Sequence, residues 1–179
     1  MQNSQQPHKT TRTMGRGMMV AACVLALGFM TLFFNGILER QVNPNSNPAS
    51  RIDTNGVREV VLQQNRQGHY VTSGSINGTP VQFLLDTGAT DVAIPMELAR
   101  ASGLSQGYAG RAATANGATV VYDTQIDELQ LGQITLLDID ASIVPNMPGE
   151  TILLGMSALR QIEFSQQGQS LTLRQYPVY

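Results

Sequence analysis

Asp86-Thr87-Gly88 is the strongest chemical signal in this chain. It lies at the end of the apolar run Val81-Gln82-Phe83-Leu84-Leu85 and just before a second apolar segment, Val92-Ala93-Ile94. A short apolar run bounded by turn residues reads as a strand, so the pattern delivers a carboxylate into a tight turn between two strands. Backbone amides in such a turn can orient the carboxylate oxygens, and the glycine lets another backbone approach closely. An acid held this rigidly can move protons. Asp, Thr and Gly are also common turn formers, and the tripeptide alone would describe a hairpin corner equally well.

A second element downstream lifts the signal. Thr151-Ile152-Leu153-Leu154 is an apolar strand that runs into Gly155 and then a short helical pattern, Met156-Ser157-Ala158-Leu159. Together the two elements resemble the retropepsin family of aspartic proteases, most closely its membrane-anchored bacterial branch. The resemblance spans most of residues 57 to 174 in family order. It implies a mainly β fold, a single-lobe acid-protease β-barrel. Its first hairpin would be Val57 to Leu62 with His69 to Ile76, turned at Asn77-Gly78 into the strand Pro80 to Leu85. A flap hairpin would follow, with arms Arg111 to Thr114 and Ala118 to Ile126 and a tip at Ala115, Asn116 and Gly117. Leu153, Leu154 and Gly155 would pack beneath the active-site loop. Met96 to Ala101 and Met156 to Leu159 are the expected helices.

Peptide hydrolysis by this chemistry needs two carboxylates sharing one proton, one to accept a proton from water and one to donate to the scissile carbonyl. Residues 51 to 179 are too few for a two-lobed enzyme, and no second Asp-Thr-Gly or Asp-Ser-Gly occurs. The second Asp86 is therefore expected from a second copy across a two-fold axis, making the chain a homodimer. The resemblance then implies that Asp86 is the catalytic acid and base. Thr87 would lock the turn across the interface, Gly88 would admit the substrate backbone and Ala89 would keep the site wall small. It implies neither metal nor cofactor. Retroviral members usually pair an acid two residues after the loop glycine with an Arg after the later glycine. Here those positions hold Thr90 and Met156. Both partners of the ion pair are replaced together, which leaves no unpaired charge.

Other catalytic readings fail on residue inventory. Gly103-Leu104-Ser105-Gln106-Gly107 matches the nucleophile-elbow pattern, but that elbow needs a strand before the Ser, a helix after it and a later His. The segment before Ser105 reads as a helix, the segment after it reads as loop, and no His follows His69. His8 and His69 cannot form a paired metal site, and His69 is expected on a strand surface. The one cysteine, Cys23, lies in an apolar run, which excludes a disulfide framework. Asn77-Gly78-Thr79 matches the glycosylation pattern, but an Asn-Gly turn accounts for it.

Met18 to Leu38 holds no charged residue and, as a helix, would span about the 30 Å of a bilayer core. Lys9, Arg12 and Arg16 precede it with no acid before Glu39, so the N-terminus should stay cytoplasmic and the remainder should be exported, placing the domain outside the inner membrane. A cleaved signal peptide would share the basic start. The stretch exceeds the usual apolar region of about 7–15 residues, and no Ala-x-Ala-like site follows promptly, so an uncleaved anchor is expected. The expected organisation is a basic tail over 1–17, a transmembrane helix over 18–38, a linker over 39–56 and a protease domain over 57–179. Gln41 to Ser50, with two prolines and three asparagines, has the composition of a spacer.

Residues 41 to 179 carry seven basic and twelve acidic side chains. An acidic exported domain without basic stripes excludes nucleic acid as the expected partner. The expected partners are a second copy, a polypeptide substrate and the membrane. A non-catalytic module that captures an extended peptide, or a dimerisation domain, would use the same fold. Retention of Asp, Thr and Gly together favours catalysis, because a scaffold has no need to bury two like charges.

Overall fold

The computed structural model describes residues 10–114 and 117–177. The chain divides into two units, Met1–Glu39 and Arg40–Tyr179. The first holds most of the helix α1 (Thr10–Val42), whose last three residues belong to the second. Its stretch Gly17–Val42 is long and apolar enough to cross a membrane. Thr31 donates its hydroxyl to the Leu27 carbonyl one turn back (2.9 Å), so the polar group is satisfied within the helix itself.

The second unit is mostly β. One sheet has four strands in the order β1 (Ala49–Ile52), β2 (Arg58–Gln63), β11 (Ser170–Gln175), β10 (Glu163–Gln167). The other has seven, in the order β3 (Val71–Ile76), β4 (Thr79–Leu85), β9 (Thr151–Leu154), β5 (Val92–Pro95), β8 (Ile134–Val144), β7 (Gly117–Leu131), β6 (Ala109–Thr114). A further pairing of β3 with β7, Ser75 to Gln130 and Ile76 to Leu129, closes the circuit of neighbours. Two short helices, α2 (Met96–Ala101) and α3 (Met156–Leu159), follow β5 and β9, with the bounds expected from the sequence.

Alternation builds these strands. Val60 and Leu62 in β2, and Val81 and Phe83 in β4, point inward while their neighbours face out. In the long ribbon β7–β8 the inward face switches at one shared point: the spacing from Ile126 to Leu129 breaks the period of two in β7, as that from Leu136 to Ile139 does in β8. The switch falls at Asp127 and Asp138, where Asp138 adopts a left-handed φ of 53°. Asn77 and Gly78 join β3 to β4 with φ values of 48° and 78°, the mirror-image turn that suits a two-residue hairpin. The Asn77 side chain accepts from the Glu128 amide (3.1 Å), which commits it to the turn.

The expected first hairpin does not form. β2 pairs with β1 and β11, and β3 pairs with β4 and β7. Two features explain the difference. The chain reverses at Asn65–His69, where the Asn65 carboxamide accepts from the amides of Gln67 and His69 (both 2.9 Å), leaving His69 in the turn rather than on a strand. Asn45 then occupies the position a pairing strand would take. Its side chain donates to the carbonyls of Gln63 (2.9 Å) and Val71 (2.7 Å) and accepts from the Gln63 amide (2.7 Å).

The segment 41–52 also differs from the spacer its composition suggested. Asn43 and Asn45 are buried, Asn43 donates to Ser73 Oγ (3.0 Å), and Asn65 donates to the Val42 carbonyl (3.0 Å). Residues 49–52 form β1. The prolines and asparagines mark turns here, but the amides act as backbone substitutes.

An ion-pair network crosses the four-stranded sheet. Glu59 lies between Arg51 (2.7 Å) and Arg174 (2.9 Å), and Arg174 also reaches Glu163 (3.2 Å). The Arg174 hydrogen bond outweighs partial burial and, with the charge of Arg51, holds the Glu59 carboxyl below its ordinary value. A lowered folded value means that this stabilisation is present above the ordinary glutamate range and is lost as pH falls through the folded value. Arg174→Met is therefore expected to lower Tm at neutral pH, by an amount that shrinks towards pH 3. Thermal denaturation across that range checks it, and a constant deficit would assign the effect to packing of the arginine stem.

Candidate active site

Asp86 follows the last residue of β4 and is half-buried, while Thr87 and Gly88 form an exposed turn. β4 and β9 run parallel in register, Leu84 beside Leu153 and Leu85 beside Leu154. This brings the two sequence elements together. The Asp86 amide donates to the Leu154 carbonyl (3.1 Å), continuing the strand pairing one residue into the loop. The Gly88 amide donates to Asp86 Oδ1 (2.9 Å), and the Ala89 amide donates to the Asp86 carbonyl (3.2 Å). One carboxylate oxygen is thereby oriented by backbone. No aspartate elsewhere in the turn competes for that amide.

The far side of the loop is held by α3. The amides of Met156 and Ser157 donate to the carbonyls of Ala89 and Thr90 (both 2.9 Å), and buried Ser157 accepts from the Val92 amide through its hydroxyl (3.0 Å). Thr90 and Met156, the positions without the ion pair, each take part in this backbone bracing, Thr90 through Ser157 and Met156 through Ala89. Leu154 is fully buried, and Leu153 pairs with Leu84 on one side and Ala93 on the other. Gly155 is where the loop packs closest: a Cβ there would overlap the Asp91 carbonyl.

A cavity of about 330 Å³ opens beside the loop. It is lined by Asp86 and Thr87 together with Tyr70, Leu159, Phe164 and Gln166, and by Leu85 and Leu171. Tyr70, Phe164 and Gln166 were not legible as site residues, because each lies in an ordinary strand-like or turn pattern outside the loop and only the fold gathers them. Ser157 was legible only as part of a short helix.

Of the remaining candidates, Gly117 opens β7 at the tip of the β6–β7 ribbon, with φ 108°. Ala115 and Asn116 lie outside the described residues. Ser105 sits in a loop, its carbonyl accepting from the Thr124 hydroxyl (2.8 Å), without the strand-to-helix turn an elbow needs. Among the described residues no cluster of three or more His, Cys, Asp or Glu side chains is arranged to hold a metal ion.

A mostly β body with an Asp-Thr-Gly loop braced by a parallel apolar strand and a glycine defines a retropepsin-like aspartic protease fold. The chain belongs to the family described as "gag-polyprotein putative aspartyl protease", whose profile matches residues 72–161, half of the chain. The crystal structure of a retropepsin-like aspartic protease from Rickettsia conorii superposes with a TM-score of 0.59 at 25% identity, covering 72% of this chain and 96% of that one. Two curated relatives carry no assigned activity. One is an uncharacterized protein in the cobV 5′ region of Sinorhizobium sp, 33% identical over 117 residues (64% of this chain, 50% of that one). The other is uncharacterized protein RP867 of Rickettsia prowazekii (strain Madrid E), 28% identical over 119 residues (60% and 47%). The chain spans about half the length of these curated relatives.

Proposed function

We propose that this chain is a membrane-tethered, homodimeric aspartic endopeptidase whose active centre is a pair of Asp86 carboxylates, one from each copy. The observation that carries this reading is the Asp86 loop itself: a carboxylate oxygen fixed by the Gly88 amide (2.9 Å), in a loop joined to Leu154, within the fold of an aspartic protease family. Two such carboxylates brought together share one proton. The ionised one takes a proton from a water, which attacks the scissile carbonyl carbon, while the protonated one donates to the carbonyl oxygen. Collapse of the tetrahedral diol breaks the C–N bond, with the proton passing to the departing amine. No metal or cofactor enters these steps.

Residues 1–17 would remain cytoplasmic, 18–38 would span the inner membrane, and the domain from 57 onward would act on exported or envelope polypeptides. The helix Gly17–Val42 supports the tether by length and composition. Thr87, Gly88 and Ala89 would form the floor of the site, braced by Leu153, Leu154 and Gly155. The β6–β7 tip at residues 115–117 would close over an extended substrate and exclude water.

Cleavage of a diverse peptide pool by the full chain in detergent, from acidic to neutral pH, tests the reading. Cleavage lost in Asp86→Asn is the expected result. A well-folded dimer that binds peptides without cutting them would make the chain a capture module. For the flap, Gly117→Val is expected to lower kcat/KM by about tenfold or more, because a β-branched side chain is strained at φ 108° and misplaces the tip. The dimer should persist, and unchanged turnover would remove the flap role.

A further inference from the structure

We infer that the substrates of this site are membrane-anchored polypeptides cut close to the membrane surface, because the chain that follows the apolar helix is clamped into the domain instead of spacing it outward. The inference rests on the proposed protease and tether, and it narrows the substrate class of that same site.

Helix and clamp adjoin without a free residue between them: Val42 is still helical, and Asn43 is already buried. The Gln41 side chain accepts from Arg66 (3.0 Å), and the Val42 carbonyl accepts from Asn65 (3.0 Å). Asn43 donates to Ser73 Oγ (3.0 Å) and accepts from the Asn45 amide (3.0 Å). Asn45 lies between the end of β2 and the start of β3. Its side chain bonds Gln63 and Val71, while its carbonyl accepts from the Ser73 amide (3.1 Å) and the Thr72 hydroxyl (3.2 Å). The chain then enters β1, which pairs with β2 along its whole length. Withdrawing Asn45 would unpair the Gln63 amide and the Val71 carbonyl together, and buried backbone groups seldom stay unpaired. The segment therefore holds or releases as a unit.

Reach follows from this. As free chain, residues 41–50 would extend up to about 33 Å, whereas clamped they add no reach. Residues 40–179 alone then set the range, and a domain of that length has a radius of gyration of about 14 Å and is roughly 40 Å across. A scissile bond on an anchored polypeptide must come within about a dozen extended residues of the membrane to meet the site. Anchoring both molecules in one membrane raises the effective concentration of bonds inside that range. Dissolved polypeptides still reach the site, but they gain nothing from the tether.

The test reconstitutes the full chain in vesicles of phosphatidylethanolamine and phosphatidylglycerol. The probe is the best-cut peptide of the pool, joined to a polyleucine membrane helix through a continuous Glu-Ala-Ala-Ala-Lys repeat of ten or sixty residues, about 15 or 90 Å long. The short probe is expected to be cut at least tenfold faster than the long one. Inserting sixty Gly/Ser residues between Arg40 and Gln41 keeps the clamp and adds about 40 Å of mean reach. It should reduce that ratio to threefold or less, while the dissolved peptide is cut at the parent rate. Hydrogen exchange in detergent reads the clamp without activity: the Gln63 and Ser73 amides should exchange at least tenfold faster in Asn45→Ala than in the parent, with the Asp86 amide unchanged. Equal cutting of the two probes by the parent, or a ratio unmoved by the insertion, overturns the range. Gln63 and Ser73 amides that exchange as freely in the parent as in Asn45→Ala overturn the clamp. Protected amides without Asp86-dependent cleavage of either probe or of the dissolved peptide would remove the protease reading and the range with it, and leave the clamp alone standing.

Discussion

Asp86→Asn is expected to reduce kcat/KM for peptide cleavage by about a thousandfold or more, with Tm and self-association close to those of the parent. General acid–base catalysis by a positioned side chain contributes roughly 10²- to 10⁴-fold, and the proposed homodimer would lose both of its acids through one substitution. The carboxamide keeps the shape of the side chain and an oxygen able to accept from the Gly88 amide, so the turn should hold. What it cannot do is take a proton from water and return it. This separation of geometry from proton transfer makes the variant decisive. If activity persists, another group moves the protons and the role assigned to Asp86 is wrong.

On the proposed mechanism the shared proton would set the pH profile. Cleavage would require one carboxylate ionised and one protonated, so kcat/KM should fall on the alkaline side once the proposed pair loses its common proton. A rate still climbing above neutrality would contradict the mechanism. The Glu59 network bears on the acid side, because acidification removes its stabilisation in the range where an acid protease works. A rate lost in acid must therefore be separated from unfolding, and the Arg174→Met comparison shows where that begins.

How far the sequence could be read follows from the range of the interactions involved. β4, the Asp86 turn, β5, α2, β9 and α3 are set by local patterns: alternating apolar residues, turn chemistry and a glycine before a helical run. All were legible. The pairing partners of β2 were not, because a hairpin between neighbouring strands is the default, and here Asn45 fills the place of the missing strand with its side-chain amide. Composition marked 41–50 as a spacer because asparagine and proline favour turns. Burial of Asn43 and Asn45 is a tertiary fact that composition does not carry. It has a practical consequence: a soluble fragment beginning at residue 51 would remove both asparagines and half of β1, whereas one beginning at Arg40 keeps them. The cavity was illegible for the same reason. Tyr70 and Phe164 lie on either side of Asp86 in the chain at long separation, and only the fold gathers them.

Gly155→Ala is expected to lower stability by about 3 kcal/mol, at the upper end of the cost of overpacking a close-packed site, which corresponds to roughly ten degrees in Tm for a domain of this size. The backbone at Gly155 is ordinary, with φ −87° and ψ −172°, so alanine suffers no dihedral strain there. The obstacle is space. A Cβ would overlap the Asp91 carbonyl and stand 2.8 Å from the Ala89 oxygen. These are backbone atoms, and no side-chain rotation can relieve the contact. The loop must retreat, which strains the bonds from Met156 to Ala89, from Ser157 to Thr90 and from Asp86 to Leu154. Gly110→Ala is the matched control, since its nearest neighbour is a Val121 methyl at 3.7 Å, and it should change Tm by no more than a degree or two. Cleavage by Gly155→Ala, measured well below its Tm, should fall more than the folded fraction does, because the same displacement would move Asp86 away from the second carboxylate of the proposed pair. Equal melting of the Gly155→Ala and Gly110→Ala proteins would mean that the loop is not clamped against β9, and would remove the physical basis for a rigid carboxylate.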